Sequence, residues 1–319
     1  MSRYSLENRL VVGIASSALF DLKESDAVFR KEGEESYRAY QRAHLDSTLR
    51  PGVAFPFIRR LLSLNDLSPD GDPLVEVIIL SRNDPDTGLR VMRSINAHGL
   101  PITRAVFMQG RAPFRFMPAL HMSLFLSADA DDVREAVARG LPAGRVLGSA
   151  VDDDPDDHDL RIAFDFDGVL AGDESERVFQ QGGLEGFRTH ETVNVATPHD
   201  AGPLRDFLRD INKLQRAEEA RRRTDPEYAI RVHVSIVTAR NAPSHERAVL
   251  SLDNWGVTVN DAFFLGGIDK GTIMEVLRPH IFFDDQVSHL EGTAPTTPSV
   301  HIPFGVVNER APEHGDERG

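Results

Sequence analysis

Two aspartates, Asp165 and Asp167, follow the apolar run in the segment DLRIAFDFDGVLAGDESE at residues 159–176. The run is typical of a buried β-strand, and residues two apart in a strand lie on the same face. Crowding two carboxylates on one face is costly unless a cation or a phosphate reaction uses them. A carboxylate can also attack phosphorus and form an aspartyl-phosphate. The alternative is an ordinary turn rich in Asp and Gly. A calcium loop of the EF-hand type is disfavoured because Gly168 would be at the fourth position of a loop that begins at Asp165, whereas such loops have glycine at the sixth.

Three further segments carry residue types that suit phosphate chemistry. VSIVTARN ends an apolar run in Thr238, whose hydroxyl can donate to a phosphate oxygen. GGIDKGT contains Lys270, which could neutralise phosphate charge, although a lone lysine is more often a surface residue. HIFFDD ends in Asp284 and Asp285, so two apolar strands each end in paired aspartates. Such strand ends form a plausible Mg²⁺ site of oxygen ligands.

These residues require a sheet that brings strand ends together. In both halves of the chain, short apolar runs alternate with helical patterns, which predicts βαβ units and a parallel sheet. The carboxyl ends of parallel strands form the crevice in which ligands bind. We predict strands over residues 9–16, 74–81, 104–110, 122–128, 161–166, 232–238, 261–266 and 280–285. We predict helices over residues 84–99, 129–140, 203–223 and 244–256.

The order Asp-x-Asp, Thr, Lys and Asp-Asp over residues 159–290 resembles the four motifs of the haloacid dehalogenase (HAD) superfamily. The resemblance implies that Asp165 is the nucleophile that attacks phosphorus and a Mg²⁺ ligand. It implies that Asp167 is the general acid for the leaving oxygen and then the base for water, with its backbone carbonyl on Mg²⁺. Members that do not cleave phosphate esters often lack an Asp at this second position, and this chain keeps Asp167.

The same resemblance assigns roles to the remaining motif residues. The implied phosphate-binding residues are Thr238, Lys270, Phe166 and Ala239. Lys270 would also orient Asp165. Asp284 and Asp285 would complete the Mg²⁺ site, and the resemblance leaves open which of them is the direct ligand.

Within the superfamily, the chain is most similar to the cytosolic 5′-nucleotidase I family, the AMP-preferring type. The segments that carry this resemblance are 79–95, 99–114, 124–137 and 159–176. It implies hydrolysis of AMP-like nucleoside 5′-monophosphates to nucleoside and phosphate, with Mg²⁺ as cofactor. The chain has AFDFDGVL where animal members have AFDGDAVL, which keeps the aspartates and leaves substrate preference open.

Two other functions use the same residues. A sugar-phosphate phosphatase or a phosphotransferase would differ only in leaving group or acceptor. A non-catalytic nucleotide-sensing module belongs to another class, and the presence of both Asp165 and Asp167 disfavours it. A redox Rossmann enzyme is disfavoured because no G-x-G-x-x-G follows a strand.

An insert at about residues 172–230 is expected to form a cap over the site. Caps exclude water and contact the substrate away from the phosphorus. Phe179, Phe187 and His190 could touch a base or ribose. The alternative is that the two phenylalanines pack the core of the cap itself.

Residues 1–150 read as a degenerate copy of the second half. At an offset of 157 residues, AVFMQGRAP lies over AFFLGGIDK, and Asp284 and Asp285 fall on Ser127 and Ala128. At 158, SRNDP at 81–85 lies over ARNAP at 239–243. At 148, Asp165 falls on Ser17 and Asp167 on Leu19. Chance likeness between βαβ units is the alternative. The copy would be a scaffold, a homo-oligomer surface or a regulatory site.

The predicted architecture is α/β, a HAD-like Rossmannoid parallel sheet with a cap insert, preceded by the degenerate HAD-like half. The expected division is 1–150, an acidic linker at 151–159, a catalytic domain at 160–307 and a flexible tail at 308–319. Metal binding by the linker aspartates is a less favoured alternative.

Composition narrows the classes of partner. The net charge of −14 opposes binding to a nucleic-acid polymer, and the absence of cysteine excludes disulfides and thiolate sites. The N-terminus lacks the apolar core of a signal peptide, and no apolar run reaches the length of a membrane span. We therefore expect a cytoplasmic protein that acts on a small molecule and does not bind membranes.

Overall fold

The computed structural model describes residues 4–68, 72–149 and 153–309. Strands and helices alternate along each half of this part of the chain. The strands are β1 (Leu10–Ile14), β2 (Val75–Ser81), β3 (Arg104–Phe107), β4 (Leu124–Ser127), β5 (Ala143–Val146), β6 (Leu160–Phe164), β7 (Val232–Thr238), β8 (Asp261–Phe264), β9 (Ile281–Asp284) and β10 (Ser299–His301). The helices are α1 (Ser16–Leu19), α2 (Lys23–Ala43), α3 (Phe55–Ser63), α4 (Pro85–Ala97), α5 (Ala130–Ala138), α6 (Glu174–Val193), α7 (Arg205–Thr224), α8 (His245–Asn254), α9 (Lys270–Leu277) and α10 (Val287–Thr293).

The described strands form one sheet in the order β3-β2-β1-β4-β5-β10-β9-β6-β7-β8. Neighbouring strands are parallel except for β5 and β10, which pair antiparallel where the two halves meet. The residues of β1, β2 and β4 are buried throughout, as expected for parallel strands covered on both faces. The predicted HAD-like α/β class is confirmed.

The two halves have the same strand order. β1–β5 are arranged as 3-2-1-4-5, and β6–β10 repeat this arrangement as 8-7-6-9-10. The registers also agree, because Leu10 pairs with Val75 as Leu160 pairs with Val232. A shared order and register support our proposal that the first half is a second unit of the same topology.

The register corrects the alignment at the ends of the central strands. The backbone N–H of Ala15 donates to Leu126, and that of Asp165 donates to Phe283, each at 2.8 Å. The offset here is therefore 150 residues, so Asp165 corresponds to Ala15, and Asp167 corresponds to Ser17. The offset of 148, which matched the aspartates to Ser17 and Leu19, was wrong by two residues.

A one-residue correction applies to the next strand. β2 and β7 are related by 157 residues, since Ile78 pairs with Arg104 as Ser235 pairs with Asp261. Thr238 therefore corresponds to Ser81, which the offset of 158 had matched to Ala239. The relation of Asp284 and Asp285 to Ser127 and Ala128 agrees with the register of β4 and β9.

The expected cap insert at 172–230 contains two helices with different surroundings. On α6, only Ser175 and Glu191 are buried, and the helix kinks at Gly183, where φ is 62°. α7 instead packs its apolar face into the main core, with Leu208 and Ile211 fully buried. α7 thus belongs to the layer beside the sheet, and the cap-like part is shorter than expected, ending near residue 200.

The acidic segment 151–159 is described from Asp153 onward. Asp153 accepts hydrogen bonds from Arg59 at 2.9 Å and Arg60 at 2.7 Å, and Asp157 accepts one from Arg161 at 2.7 Å. These aspartates therefore neutralise arginines of the folded domain. Residues 151–152 of the segment, and 310–319 of the expected tail, lie outside the described residues. The predicted domain boundaries remain proposals.

None of the helices in the described ranges is both long enough and apolar enough to cross a membrane.

Candidate active site

The candidate site lies where the three neighbouring strands β9, β6 and β7 end. Asp165 directly follows β6, Thr238 is the last residue of β7, and Asp284 is the last residue of β9. All three side chains are buried. Because these strands are parallel, their carboxyl ends meet at one edge of the sheet. The fold therefore brings three residues from distant parts of the sequence to one place.

Lys270, the first residue of α9, joins two of these carboxylates. Its Nζ lies 2.8 Å from Oδ2 of Asp165 and 2.6 Å from Oδ2 of Asp284. Burial alone would lower the pKa of Lys270, but the two carboxylates raise it above its usual value. The lysine therefore stays charged, as a group that neutralises phosphate must.

The carboxylates are affected unequally. Burial raises the pKa of Asp165 to about 6, although the charge of Lys270 opposes the shift. Burial also acts on Asp284, but Lys270 and His289 hold the pKa of Asp284 below its usual value. At neutral pH both groups are ionised, which leaves Asp165 able to act as a nucleophile.

Asp285 is a buried carboxyl group crowded by the carboxylates of Asp165 and Asp284. Burial, then the charges of Asp165 and Asp284, raise its pKa to about 9. Its Oδ1 is buried without a hydrogen-bond partner among the described residues. Gly168 makes room for it, because a Cβ there would lie 2.3 Å from Oδ2 of Asp285. A buried acceptor without a donor is a position that a cation would satisfy.

A possible set of metal ligands is formed by Asp165, Asp284 and His289, which offer ligand atoms within 4.8 Å of one another. Nδ1 of His289 lies 3.2 Å from both carboxylate oxygens of Asp284. With Asp285 beside them, the donors are mainly carboxylate oxygens, which suits Mg²⁺. His289 was missed from the sequence, since no pattern distinguishes it in the short helix α10.

The carboxylate of Asp167 pairs with Arg240. Nε and Nη2 of Arg240 donate to its two oxygens at 2.7 and 2.6 Å, a bidentate geometry. Asp167 keeps 21% of its side chain exposed, whereas Arg240 is almost fully buried. Of the four predicted metal ligands, Asp165 and Asp284 thus pair with Lys270, whereas the carboxylate of Asp167 pairs with Arg240.

Arg240 belongs to a buried polar network that the sequence did not reveal. Its Nη1 donates to Glu191 on α6, its Nη2 donates to Ser175 at 2.9 Å, and His199 lies 3.1 Å from Nη2. Glu191 also accepts a hydrogen bond from Arg247 at 3.0 Å. Burial acts to raise the pKa of Glu191, but His199 and Arg240 outweigh it and hold the pKa far below its usual value.

The predicted phosphate-binding residues lie around the same strand ends. The backbone N–H of Phe166 donates to Oδ1 of Asp165 at 2.7 Å. Oγ1 of Thr238 accepts from the backbone N–H of Arg240 at 3.2 Å, which leaves its own hydrogen free to donate. Ala239 follows Thr238 and is exposed. Phe166 thus contacts the nucleophile candidate directly, whereas Thr238 and Ala239 lie at the end of the neighbouring strand β7.

The three predicted substrate residues are all on α6 but have different surroundings. Phe179 and Phe187 form an edge-to-face pair with centroids 6.5 Å apart. Phe187 also lies 5.3 Å from the guanidinium of Arg240, which connects the pair to Asp167. His190 contacts Glu174 at 3.1 Å and Arg247 at 3.2 Å, so it belongs to the polar network.

Comparison with known proteins agrees with this geometry. The profile of the 5′-nucleotidase family matches residues 2–309. The chain is 34% identical over 291 residues to a protein described as human cytosolic 5′-nucleotidase 1B, covering 90% of this chain and 47% of the relative. The chain thus spans about half the length of the curated relative it matches. No solved structure shows a significant match. The chain belongs to the 5′-nucleotidase family.

Proposed function

We propose that the protein is a Mg²⁺-dependent phosphoric monoester hydrolase that converts AMP-like nucleoside 5′-monophosphates to nucleoside and phosphate. One observation carries the proposal: a buried Asp165 at the end of a central strand, 2.8 Å from the charged Nζ of Lys270. Family membership and the name of the human relative support the choice of nucleotide substrate.

In the proposed first step, a carboxylate oxygen of Asp165 attacks the phosphorus. The bond from phosphorus to the 5′-oxygen breaks, and Asp167 gives that oxygen its proton. The nucleoside leaves, and an aspartyl-phosphate remains on Asp165. In the second step, Asp167 takes a proton from water, whose oxygen attacks phosphorus and releases phosphate and free Asp165.

Two cationic or donor groups of the chain stabilise charge during these steps. Lys270 orients Asp165 and faces the phosphoryl oxygens, and the hydroxyl of Thr238 donates to them. A Mg²⁺ ion, when bound, would be held by Asp165, Asp284, Asp285 and the backbone carbonyl of Asp167, and would neutralise phosphate charge. The unsatisfied Oδ1 of Asp285 is the observation that favours a cation there.

Arg240 positions the proposed acid. Its two hydrogen bonds fix the orientation of the Asp167 carboxylate, and Glu191 and Ser175 fix Arg240 in turn. Both oxygens of Asp167 accept from Arg240, so the pair holds the ionised carboxylate that takes a proton from water in the second step. In the first step Asp167 must carry a proton, and the oxygen that carries it must give up its hydrogen bond from Arg240. The polar network thus serves the chemistry without touching the phosphorus.

Phe179 and Phe187 favour a nucleotide over a sugar phosphate as the substrate. Both rings are on α6, and a planar base can stack on an exposed aromatic ring. Another phosphate ester remains the second candidate, because the groups around phosphorus do not read the leaving group. The name of the human relative favours a cytosolic location, which we also propose here.

Phosphate release from a panel of nucleoside monophosphates and sugar phosphates tests the proposal. We expect turnover of AMP-like substrates, loss of turnover in EDTA and recovery on adding Mg²⁺. Preference for sugar phosphates over every nucleotide would establish the second candidate instead. Equal rates in EDTA and in Mg²⁺ would refute the metal requirement.

A further inference from the structure

A cavity of about 730 Å³ lies in the first half, at the carboxyl ends of β1, β2 and β4. Ligand pockets for small molecules fall in the same range of volume. By the register of the sheet, this is the position that the candidate active site has in the second half. The cavity is therefore the counterpart of a substrate site, in a half without the catalytic carboxylates.

Three serines lie along the floor of the cavity, at positions that correspond to site residues of the second half. Ser17, Ser81 and Ser127 line the cavity and correspond to Asp167, Thr238 and Asp284. The hydroxyl of Ser16 lies 3.1 Å from that of Ser81, and both residues are buried. Serine hydroxyls both donate and accept hydrogen bonds, which suits a polar ligand without charge.

An aromatic pair covers the cavity, as in the second half. Phe29 and Tyr37 on α2 form an edge-to-face pair with centroids 5.7 Å apart. They precede Phe179 and Phe187 by 150 residues, and the latter pair has nearly the same interplanar angle, 86° against 85°. Both Phe29 and Tyr37 line the cavity, and Phe29 is 51% exposed. The first half thus keeps the rings that suit a planar base.

Smaller residues open the space between the rings and the floor. Asn83 has the place of Arg240 and accepts a hydrogen bond from the Tyr37 hydroxyl at 3.2 Å. Where Arg240 fills the second half with a guanidinium bound to two carboxylates, Asn83 leaves an amide facing the cavity. The exchange removes a charge and several heavy atoms.

The charges around the cavity oppose a phosphate. Its lining includes the acidic residues Asp26, Glu34, Asp84, Asp129 and Asp132, against two arginines. Both arginines are already paired: Arg38 lies 2.8 Å from Glu34 and 2.7 Å from Asp84, and Arg82 forms a bidentate pair with Asp132. A phosphorylated ligand would meet repulsion here, whereas an uncharged one would not.

We propose that this cavity binds an uncharged nucleoside, with the base against Phe29 and Tyr37 and the sugar hydroxyls on the serine floor. A nucleoside is also the product of the proposed reaction, so the first half would bind the product that the second half releases. Binding at this cavity does not require hydrolysis, so it can be tested in a protein without turnover.

The test uses the full chain carrying Asp165→Asn, which prevents consumption of AMP. Hydrogen–deuterium exchange is measured with adenosine, AMP or inorganic phosphate, and localised to peptides from each half. We expect adenosine to slow exchange in α2 and around Asn83, AMP to do so more weakly, and phosphate to have no effect there. Adding Phe29→Ala should weaken the adenosine effect in α2 about tenfold in concentration, as loss of one stacking ring implies.

Phe179→Ala is the matched control, because this ring has the same place in the second half and is similarly exposed. It should leave the adenosine effect in α2 unchanged. The proposal is overturned if adenosine slows exchange only in the second half, or if Phe179→Ala removes the effect in α2. Stronger protection by AMP than by adenosine at α2 would also overturn it. These binding results do not depend on turnover, so they can be interpreted even if the parent protein does not hydrolyse AMP.

Discussion

Arg90 in the first half and Arg247 in the second are both buried and make the same set of hydrogen bonds, which we call the arginine frame. Each donates to a side chain in the last turn of the kinked helix, Gln41 of α2 at 3.1 Å and Glu191 of α6 at 3.0 Å. Nε of each donates to a backbone carbonyl, that of Ser47 or of Thr197. Because these contacts recur in the half that lacks the proposed catalytic residues, we infer that they serve folding.

A second pair of contacts repeats in the same way. The backbone N–H of Leu49 donates to Oγ of Ser94, and that of His199 donates to Oγ of Ser251, each at 3.0 Å. All four residues are buried. The two halves therefore share packing and backbone hydrogen bonds down to single atoms.

The differences lie in charge. Glu191, Arg240 and Asp167 form a continuous line of ion pairs to the strand end, where the first half has Gln41, Asn83 and Ser17. A buried charge is retained only with partners, so such a line is costly to build for stability alone. We infer that the shared contacts stabilise both halves and that the charged residues of the second half serve the proposed chemistry.

The largest expected effect follows from Asp165→Asn, which removes the proposed nucleophile and makes the second half as inert as the first. Phosphate release from AMP should fall at least about 1,000-fold, as is usual when a nucleophile is lost. The thermal midpoint should change little, since asparagine is nearly isosteric. A variant that keeps a tenth of the wild-type rate would place the nucleophile elsewhere.

The twin arginines should differ in their contribution to stability. Arg247→Met leaves Glu191 without one of its cations, which should cost about 3–5 kcal/mol of unfolding free energy. Arg90→Met leaves neutral Gln41 without a donor, which should cost about 1–3 kcal/mol. Urea denaturation of both variants measures the difference.

Arg177→Met is the control for this pair, because Arg177 is half exposed and its loss should change stability by less than about 0.5 kcal/mol. If Arg247→Met and Arg90→Met lost the same unfolding free energy, the charge of Glu191 would not account for a difference between the two halves.

Gly52 and Gly202 occupy the same turn in the two halves, and substitution of either by alanine should destabilise the fold to a different extent. A Cβ at Gly202 would lie 2.4 Å from the carbonyl oxygen of Ala171, and one at Gly52 would lie 2.9 Å from that of Ala18. Substitution by alanine should therefore destabilise both halves by about 1–3 kcal/mol, with Gly202→Ala the more severe. Thermal unfolding of the two variants checks the order, which a milder Gly202→Ala would reverse.

The smallest effect concerns acid stability. The lowered pKa of Glu191 means that its ion pairs stabilise the fold above the ordinary carboxyl pKa, and that this contribution is lost as pH falls below it. Glu191→Gln introduces the residue type that the first half has at this position, Gln41, and removes this pH-dependent contribution to stability. Its unfolding free energy should fall less steeply between pH 5 and pH 3, by about 1 kcal/mol per pH unit. Parallel curves for both proteins would show that Glu191 is not the titrating group.

The sequence was sufficient for most of the sheet and for the side chains that the fold brings together at the strand ends. β7 matches its predicted range at both ends, and the predicted strand at 280–285 contains β9. An apolar run that ends in Asp or Thr is a local pattern, so it can be recognised in the sequence without knowledge of the fold. The positions of Asp165, Thr238, Lys270 and Asp284 at one edge then follow from the parallel arrangement alone.

The polar network could not be predicted because its members are far apart in sequence. Asp167 and Arg240 are 73 residues apart, and Glu191 lies on a helix whose apolar pattern is weak. Their pairing is decided by how α6 returns over the strand ends, which no local pattern encodes. The pairing of β5 with β10, which joins the two halves, was also not predicted, because these strands are only four and three residues long.

The claim that chemistry resides in one half is tested most directly by locating the transferred phosphoryl group. The protein is mixed with a nucleoside monophosphate and Mg²⁺, quenched in acid within one turnover, and digested for mass spectrometry. The account predicts a phosphoryl group on Asp165, in the peptide that follows β6, and none on peptides from residues 4–149. A phosphoryl group on any residue of the first half would contradict it.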